Sequence, residues 1–332
     1  MKPSILQQRN DYTGIDIFKF LMAFAVIAIH CRLDNIMGDR DWPHPIGFII
    51  GMAVPFFFIT SGFLIAQKID NPKITDIKKR LLIRKRSYTI FRIFLYWLII
   101  YLPIAIYSYI SDGTVVCKAI AGYIYKVATG GHSIWAWQLW FIYSMAWVTL
   151  IYSITLLSTR TTTLLMLSFT VISLVNIGFQ TYGLSMFKWS YILTHNTLGG
   201  GIYMTAGAIL YKIRHMYHHI STAVIFLITS IFLYIFELPF YDIIGGCAFF
   251  ILALNISVPS NPLFLTLRRL SMWIYYLHMI VVFGILQLMP TYKMTLLQIF
   301  IAASLMTLLL SILIDYSQRK IYGLRFLEVL IR

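Results

Sequence analysis

Apolar residues recur along the chain in ten long runs, near 14–31, 46–66, 91–110, 138–157, 164–179, 197–211, 221–237, 241–257, 271–289 and 295–315. Charged residues collect between them. A helix needs about 20 mostly apolar residues to cross a bilayer core, and most of these runs approach that length. The runs at 164–179 and 197–211 are short, and only Leu238-Pro239-Phe240 separates 221–237 from 241–257. The pattern predicts an all-α polytopic membrane protein with about ten transmembrane helices. It forms a single integral-membrane domain over residues 1–332, with a basic cytoplasmic segment at 67–90 inside it. No internal repeat is evident, which argues against a transporter built from inverted halves.

Composition agrees with this reading. Apolar residues make up 59% of the 332 positions and charged residues 12%, which excludes an ordinary soluble domain. Ten spans with both ends on one side divide the 27 Lys and Arg residues unevenly. Six fall on one side (Arg32, Arg40, Lys118, Lys126, Lys188 and Lys293) and the other 21 on the opposite side. Positive residues mark the cytoplasmic face, so both termini are expected there. The formal net charge of +15 lies on loops that flank the membrane, so nucleic acid is not an expected partner. No small-residue cleavage site follows the first run, which reads as a retained helix rather than a signal peptide. Cys31, Cys117 and Cys247 have no metal-ligand spacing and read as free thiols.

The first run carries the most informative polar residues: Asp16, Lys19 and His30. Eleven residues separate Lys19 from His30, which returns them to one helix face about 16 Å apart. Asp16 stands one turn before Lys19, at a spacing that allows pairing. Ionisable groups within a span are costly and rarely face lipid, so this stripe points to a polar cleft. The alternative is that Asp16 and Lys19 anchor the helix end and His30 meets headgroups.

Other segments carry further candidates. Val54-Pro55 and Ser61-Gly62 belong to a run that either bends around a ligand or packs closely on another helix. Six Lys or Arg occur within 78–86, and Arg92 follows at the entry to the third span. That density suits a ligand with several phosphates, or alternatively anionic lipid headgroups. His132, Trp135, Trp137 and Trp140 close a long segment and suit a membrane boundary. Tyr275, Tyr276 and His278 place a histidine among hydroxylated aromatics. His215, His218 and His219 lie in a basic loop without carboxylates and read as solvated, and His195 before Gly199-Gly200-Gly201 is left unassigned. No metal site and no permanently bound cofactor is expected.

Together these motifs resemble the acyltransferase-3 family of bacterial integral-membrane acyltransferases. The family's first-helix pattern of Asp, Arg or Lys three residues on, and His after ten more is matched by Asp16, Lys19 and His30. Val54 to Leu64 is similar to its second-helix Val-Pro-x-Phe-Phe-x-x-Ser-Gly-Tyr/Phe-Leu pattern. A basic entry to helix three, Leu139-Trp140-Phe141 and Tyr275-x-Leu277-His278 follow in the family's order. There are departures. Lys19 replaces the commoner Arg, and Leu95 stands where the helix-three signature has Pro, leaving Arg86 and Arg92 as alternatives there. No acidic residue follows Trp140, and no esterase-like domain is appended, as in a short stand-alone member.

The resemblance implies transfer of an acyl group, usually acetyl, from acyl-CoA on the cytoplasmic side to a hydroxyl of a cell-surface or lipid-linked glycan. It implies catalytic roles for His30, Lys19 and Asp16. Donor contacts would fall to Arg80, Arg84, Lys85, Arg86, Arg92, Ser61 and Gly62. Substrate contacts would fall to Trp140, Tyr275 and His278. The expected location is the bacterial cytoplasmic membrane, with lipid, acyl-CoA and the glycan as partners. The competing readings are a transporter or flippase and a structural component of a polysaccharide-assembly complex.

Overall fold

The computed structural model describes residues 12–33, 45–181, 197–217, 219–256, 258–259 and 261–331. Among these residues there are helices and no strands. In chain order they are α1 (Thr13–His30), α2 (Pro45–Gly51), α3 (Ala53–Ile69), α4 (Asp76–Ser111), α5 (Val116–Gly130), α6 (Leu139–Thr155), α7 (Thr159–Thr181), α8 (Gly200–Lys212), α9 (Ile220–Ile235), α10 (Tyr241–Asn255), α11 (Pro262–Tyr292) and α12 (Leu296–Lys320). A short 3-10 helix, Arg214–Met216, follows α8, and a longer one, Tyr322–Leu330, follows α12. Arg40, Lys188, His195 and His218 lie outside the described residues.

Each of the ten apolar runs falls on helix, the run at 46–66 on both α2 and α3, but the helices differ in reach. Among the described residues, five units are long and apolar enough to cross a membrane: Thr13–His30, Pro45–Ile69, Asp76–Ser111, Pro262–Gln287 and Leu296–Lys320. Leu139–Thr155, Thr159–Val175, Ile220–Ile235 and Tyr241–Asn255 are apolar but shorter, and α8 has only 13 residues. The basic segment is not a separate helix. It forms the first turns of α4, whose 36 residues extend roughly 54 Å. The long segment at 111–137 holds a helix of its own, α5, of which only Gly130 is buried.

Local chemistry sets the helix starts. Asn261 Oδ1 accepts the Leu263 N–H at 3.0 Å, and Pro262 occupies the first helical position, where no N–H is needed. Thr295 and Gln298 form a reciprocal capping box at the start of α12, which satisfies two otherwise orphaned amides. Pro55 stands in the first turn of α3, so it begins that helix rather than bending it.

The core is largely aromatic. Trp97, Trp273, Tyr101, Tyr152, Phe56, Phe58, Phe94 and Phe250 are almost fully buried. The outward faces of α9 and α12 expose Ile225, Ile228, Phe232, Leu305, Leu309 and Leu313, as expected where the solvent is hydrocarbon. α1 packs along α11, α4 along α6, and α3 along α8. The α3–α8 crossing is very close. A Cβ on Gly62 would fall 1.8 Å from the Met204 carbonyl oxygen, and one on Gly207 would fall 2.0 Å from that of Ile59. Only glycine lets the two backbones meet at this distance.

Candidate active site

The Asp16 end of α1 is a knot of charge. Asp16 is 3% exposed, and both its carboxylate oxygens are held by Arg268 of α11, Oδ1 by Nε at 2.8 Å and Oδ2 by Nη2 at 2.7 Å. The hydrogen-bonded partner of Asp16 is thus Arg268, while Lys19, expected beside it, stays within electrostatic reach of the same carboxylate. Packing α11 along α1 presents a planar guanidinium that takes both oxygens at once, which a single ammonium cannot do. Arg269, one residue and about 100° farther round α11, reaches α12 instead, where its Nε donates to Asp315 Oδ1 at 2.9 Å. Arg319 pairs with the other oxygen of Asp315 at 2.7 Å. Adjacent arginines thus tie α11 to both neighbours.

Lys19 sits within electrostatic reach of Asp16, Arg268 and Arg86. On α4, Ile83, Ile90, Phe94, Trp97 and Tyr101 form the buried stripe. Arg86 lies on that face by helical spacing yet remains exposed, so the stripe opens at this point. Lys19 thus lies between the Asp16–Arg268 pair and Arg86, where three cations face one carboxylate's charge. That excess of positive charge can receive an anion.

The His30 end is aromatic. His30 is the last residue of α1, and its ring centroid lies 5.1 Å from that of His278 on α11, with 34° between the planes. His278 is completely buried. Its Nδ1 faces the Ile274 carbonyl at 3.2 Å, which places the ring proton on that nitrogen. Its Nε2 has no hydrogen-bond partner among the described residues.

Three contacts brace this turn of α11. The Tyr275 hydroxyl donates to the main-chain oxygen of Gln138. Tyr101 donates to the main-chain oxygen of Tyr276 at 2.7 Å. The Tyr276 ring stacks on Trp97 at 4.7 Å and 3°, and Trp97 Nε1 donates to the Leu330 carbonyl at 2.9 Å. The 3-10 helix after α12 thus reaches back to the aromatic floor beneath the histidine pair.

The remaining predicted residues are distributed differently. Ser61 donates to the Phe57 carbonyl at 2.9 Å, and Gly62 is taken up by the α8 crossing. Of the two readings of that segment, the geometry shows close helix packing. Arg80 donates to the carbonyls of Ser153 and Ile154, closing the C-terminal turn of α6. Arg84 and Lys85 are exposed, while Arg92 is half-buried, with its Nε unpartnered among the described residues. Trp140 packs against Phe58 at 5.9 Å, and Phe58 stacks on Tyr203 at 6.0 Å and 11°.

Trp135 and Trp137 stack on each other at 5.9 Å, and Trp135 also meets Phe283 at 5.0 Å. Trp135 holds a left-handed φ of 61°, a costly conformation for a bulky residue. Nearby in sequence, burial holds the His132 imidazole below its ordinary range, so this residue stays uncharged at neutral pH. His215 and His219 are exposed.

The sequence profile of the acyltransferase domain matches residues 12–316, nearly the whole described chain. The chain belongs to the acyltransferase-3 family. It is therefore an acyltransferase of membrane character, and α1, α4 and α11, which carry the charged and histidine ends, all fall inside the matched region. No curated protein and no solved structure matches the chain. Arg268, Trp97 and Gln138 escape a reading by motif. Each acquires its partner from a distant helix, and neighbouring residues do not announce those contacts.

Proposed function

We propose that this acyltransferase moves an acetyl group from acetyl-CoA, bound from the cytoplasmic side, to a hydroxyl of a cell-surface or lipid-linked glycan at the opposite face of the cytoplasmic membrane. The observation that supports this reading is the division of labour along α1 and its partners. At one end Asp16 is paired with Arg268, Lys19 lies beside them, and Arg86 is within electrostatic reach of Lys19. His30 meets His278 at the other, 5.1 Å away. The two ends are about 16 Å apart, eleven residues of helix.

CoA carries several phosphates and a long, neutral arm that ends in the thioester. Arg86 and Lys19, with the exposed Arg84 and Lys85 beyond them, hold the phosphates by charge-assisted hydrogen bonds. One carboxylate cannot balance both Arg268 and Lys19, so net positive charge is left over beside Asp16. The arm then extends toward the histidines. His30 removes the proton from the acceptor hydroxyl as its oxygen attacks the thioester carbonyl carbon. The C–O bond forms, the C–S bond breaks, and the thiolate leaves and is protonated to give free CoA. His278 holds the His30 ring in place and lends its free Nε2 to the reacting groups.

Membranes containing the protein are incubated with radiolabelled acetyl-CoA, and label in glycan and release of CoA are measured. The parent protein is expected to support both. His30→Ala should lower transfer by a factor of about 10²–10⁴, the usual contribution of a general base, at unchanged protein abundance. A transporter or scaffold would give no acetyl-CoA-dependent label at all, and full transfer by His30→Ala would remove the assignment of the base.

A further inference from the structure

Gln138 is the N-cap residue of α6 and only 2% exposed. Its main-chain oxygen accepts the Tyr275 hydroxyl. Its side chain makes no comparable bond, for both Oε1 and Nε2 are buried without a hydrogen-bond partner among the described residues. The Tyr101 hydroxyl lies in hydrogen-bonding range of the amide; its proton goes to the Tyr276 carbonyl, so its oxygen can accept only loosely from Nε2 and it offers nothing to Oε1, the more exacting vacancy of the two. Burying an amide with both functions unmet is costly, and folded proteins seldom tolerate it without a use. A second unmet atom lies near, one tyrosine away. Tyr275 bonds Gln138, its ring centroid is 6.2 Å from that of His278, and His278 Nε2 is also unpartnered among the described residues.

The chemistry of the vacant valences restricts what can fill them. An amide presents a donor and an acceptor side by side. A thioester carbonyl or a phosphate can use only the donor and an acetyl methyl neither; the amides of the CoA arm could use both, and the hydrolysis readout below separates them from a sugar. Neighbouring hydroxyls of a sugar supply a proton for Oε1 and an oxygen for Nε2 together. We propose that the Gln138 side chain binds a pair of hydroxyl groups on the acceptor glycan and so presents one of them to His30. This rests on the acyl-transfer reading above and adds to it a residue that selects the acceptor.

The test separates the acceptor from the donor by using water as a second acceptor. Membranes carrying Gln138→Leu are given radiolabelled acetyl-CoA, and both glycan label and CoA release by hydrolysis are recorded. Glycan labelling should fall about tenfold or more, as for loss of a buried hydrogen-bonded contact to substrate. Hydrolysis should stay within about twofold of the parent, and the thermal midpoint of the purified protein should be equal or higher, because an unmet polar group has been replaced by an apolar one. Gln138→Met, closer in shape, should behave in the same way.

Unchanged glycan labelling would overturn the proposal. So would a parallel loss of labelling and hydrolysis, which would put the amide on the donor side. A lowered midpoint in both variants, with both activities lost, would make the residue structural and overturn it too. Parent membranes with no acetyl-CoA-dependent label would instead refute the acyl-transfer reading itself, an outcome distinct from any contrast between parent and variant.

Discussion

The two ends of α1 solve opposite problems. At the Asp16 end both buried carboxylates are paired: Asp16 by Arg268, and Asp315 by Arg269 and Arg319. Lys19 and Arg86 are the surplus. At the His30 end the polar atoms lie among aromatic rings, and several have no hydrogen-bond partner among the described residues. The first arrangement is stable without a ligand and attracts one through a long-range field. The second sacrifices stability for short-range selectivity, because an unmet hydrogen-bonding group gains only from a partner that fits it.

Breaking the ion pair should have the largest effect. Arg268→Leu leaves Asp16 buried and uncompensated, a loss that runs to about 3–5 kcal/mol for buried pairs. The guanidinium is 36% exposed against 4% for the carboxylate, so water relieves part of the penalty and the lower end of that range is expected. Thermal unfolding of the purified protein would measure it, and Asp16→Asn in the same chain should restore much of the loss. An unchanged midpoint for Arg268→Leu would mean that the knot does not hold the helices together. Next in size, Arg86→Gln should raise the KM for acetyl-CoA about tenfold, as for loss of a charge-assisted contact, with kcat little altered. A fall in kcat at constant KM would move Arg86 from binding to chemistry.

The smallest effect sharpens the contrast most. Raising ionic strength from about 0.1 to about 0.5 M roughly halves the range of electrostatic attraction. It should raise the KM for acetyl-CoA and leave the apparent affinity for the acceptor unchanged. Equal sensitivity of both substrates would mean that the His30 end is charged as well.

Much of this arrangement is legible from the chain alone, for a definite reason. Periodicity within a helix is local, so the Lys19–His30 stripe and the ten apolar runs can be read residue by residue. The family motifs extend that reading to His278. What escapes is contact between segments far apart. Arg268 stands 252 positions from Asp16, and the local spacing instead suggests Lys19, only three residues away. Gln138 sits beside a run of tryptophans whose ordinary explanation is a membrane boundary, so nothing nearby marks its amide as unmet. Gly62 shows the converse. Its Ser-Gly step allows either a ligand or a helix, and only the position of Met204 decides.

The bond from the Trp97 indole to residue 330 uses a peptide oxygen, not a side chain. Position 330 can therefore vary in identity, within the limits of packing, and still supply the same acceptor. Only the tryptophan can be altered to abolish it. A saturation scan should find sharp intolerance at 97 alongside permissiveness at 330, so a mutational map read one position at a time would conceal that the two are joined.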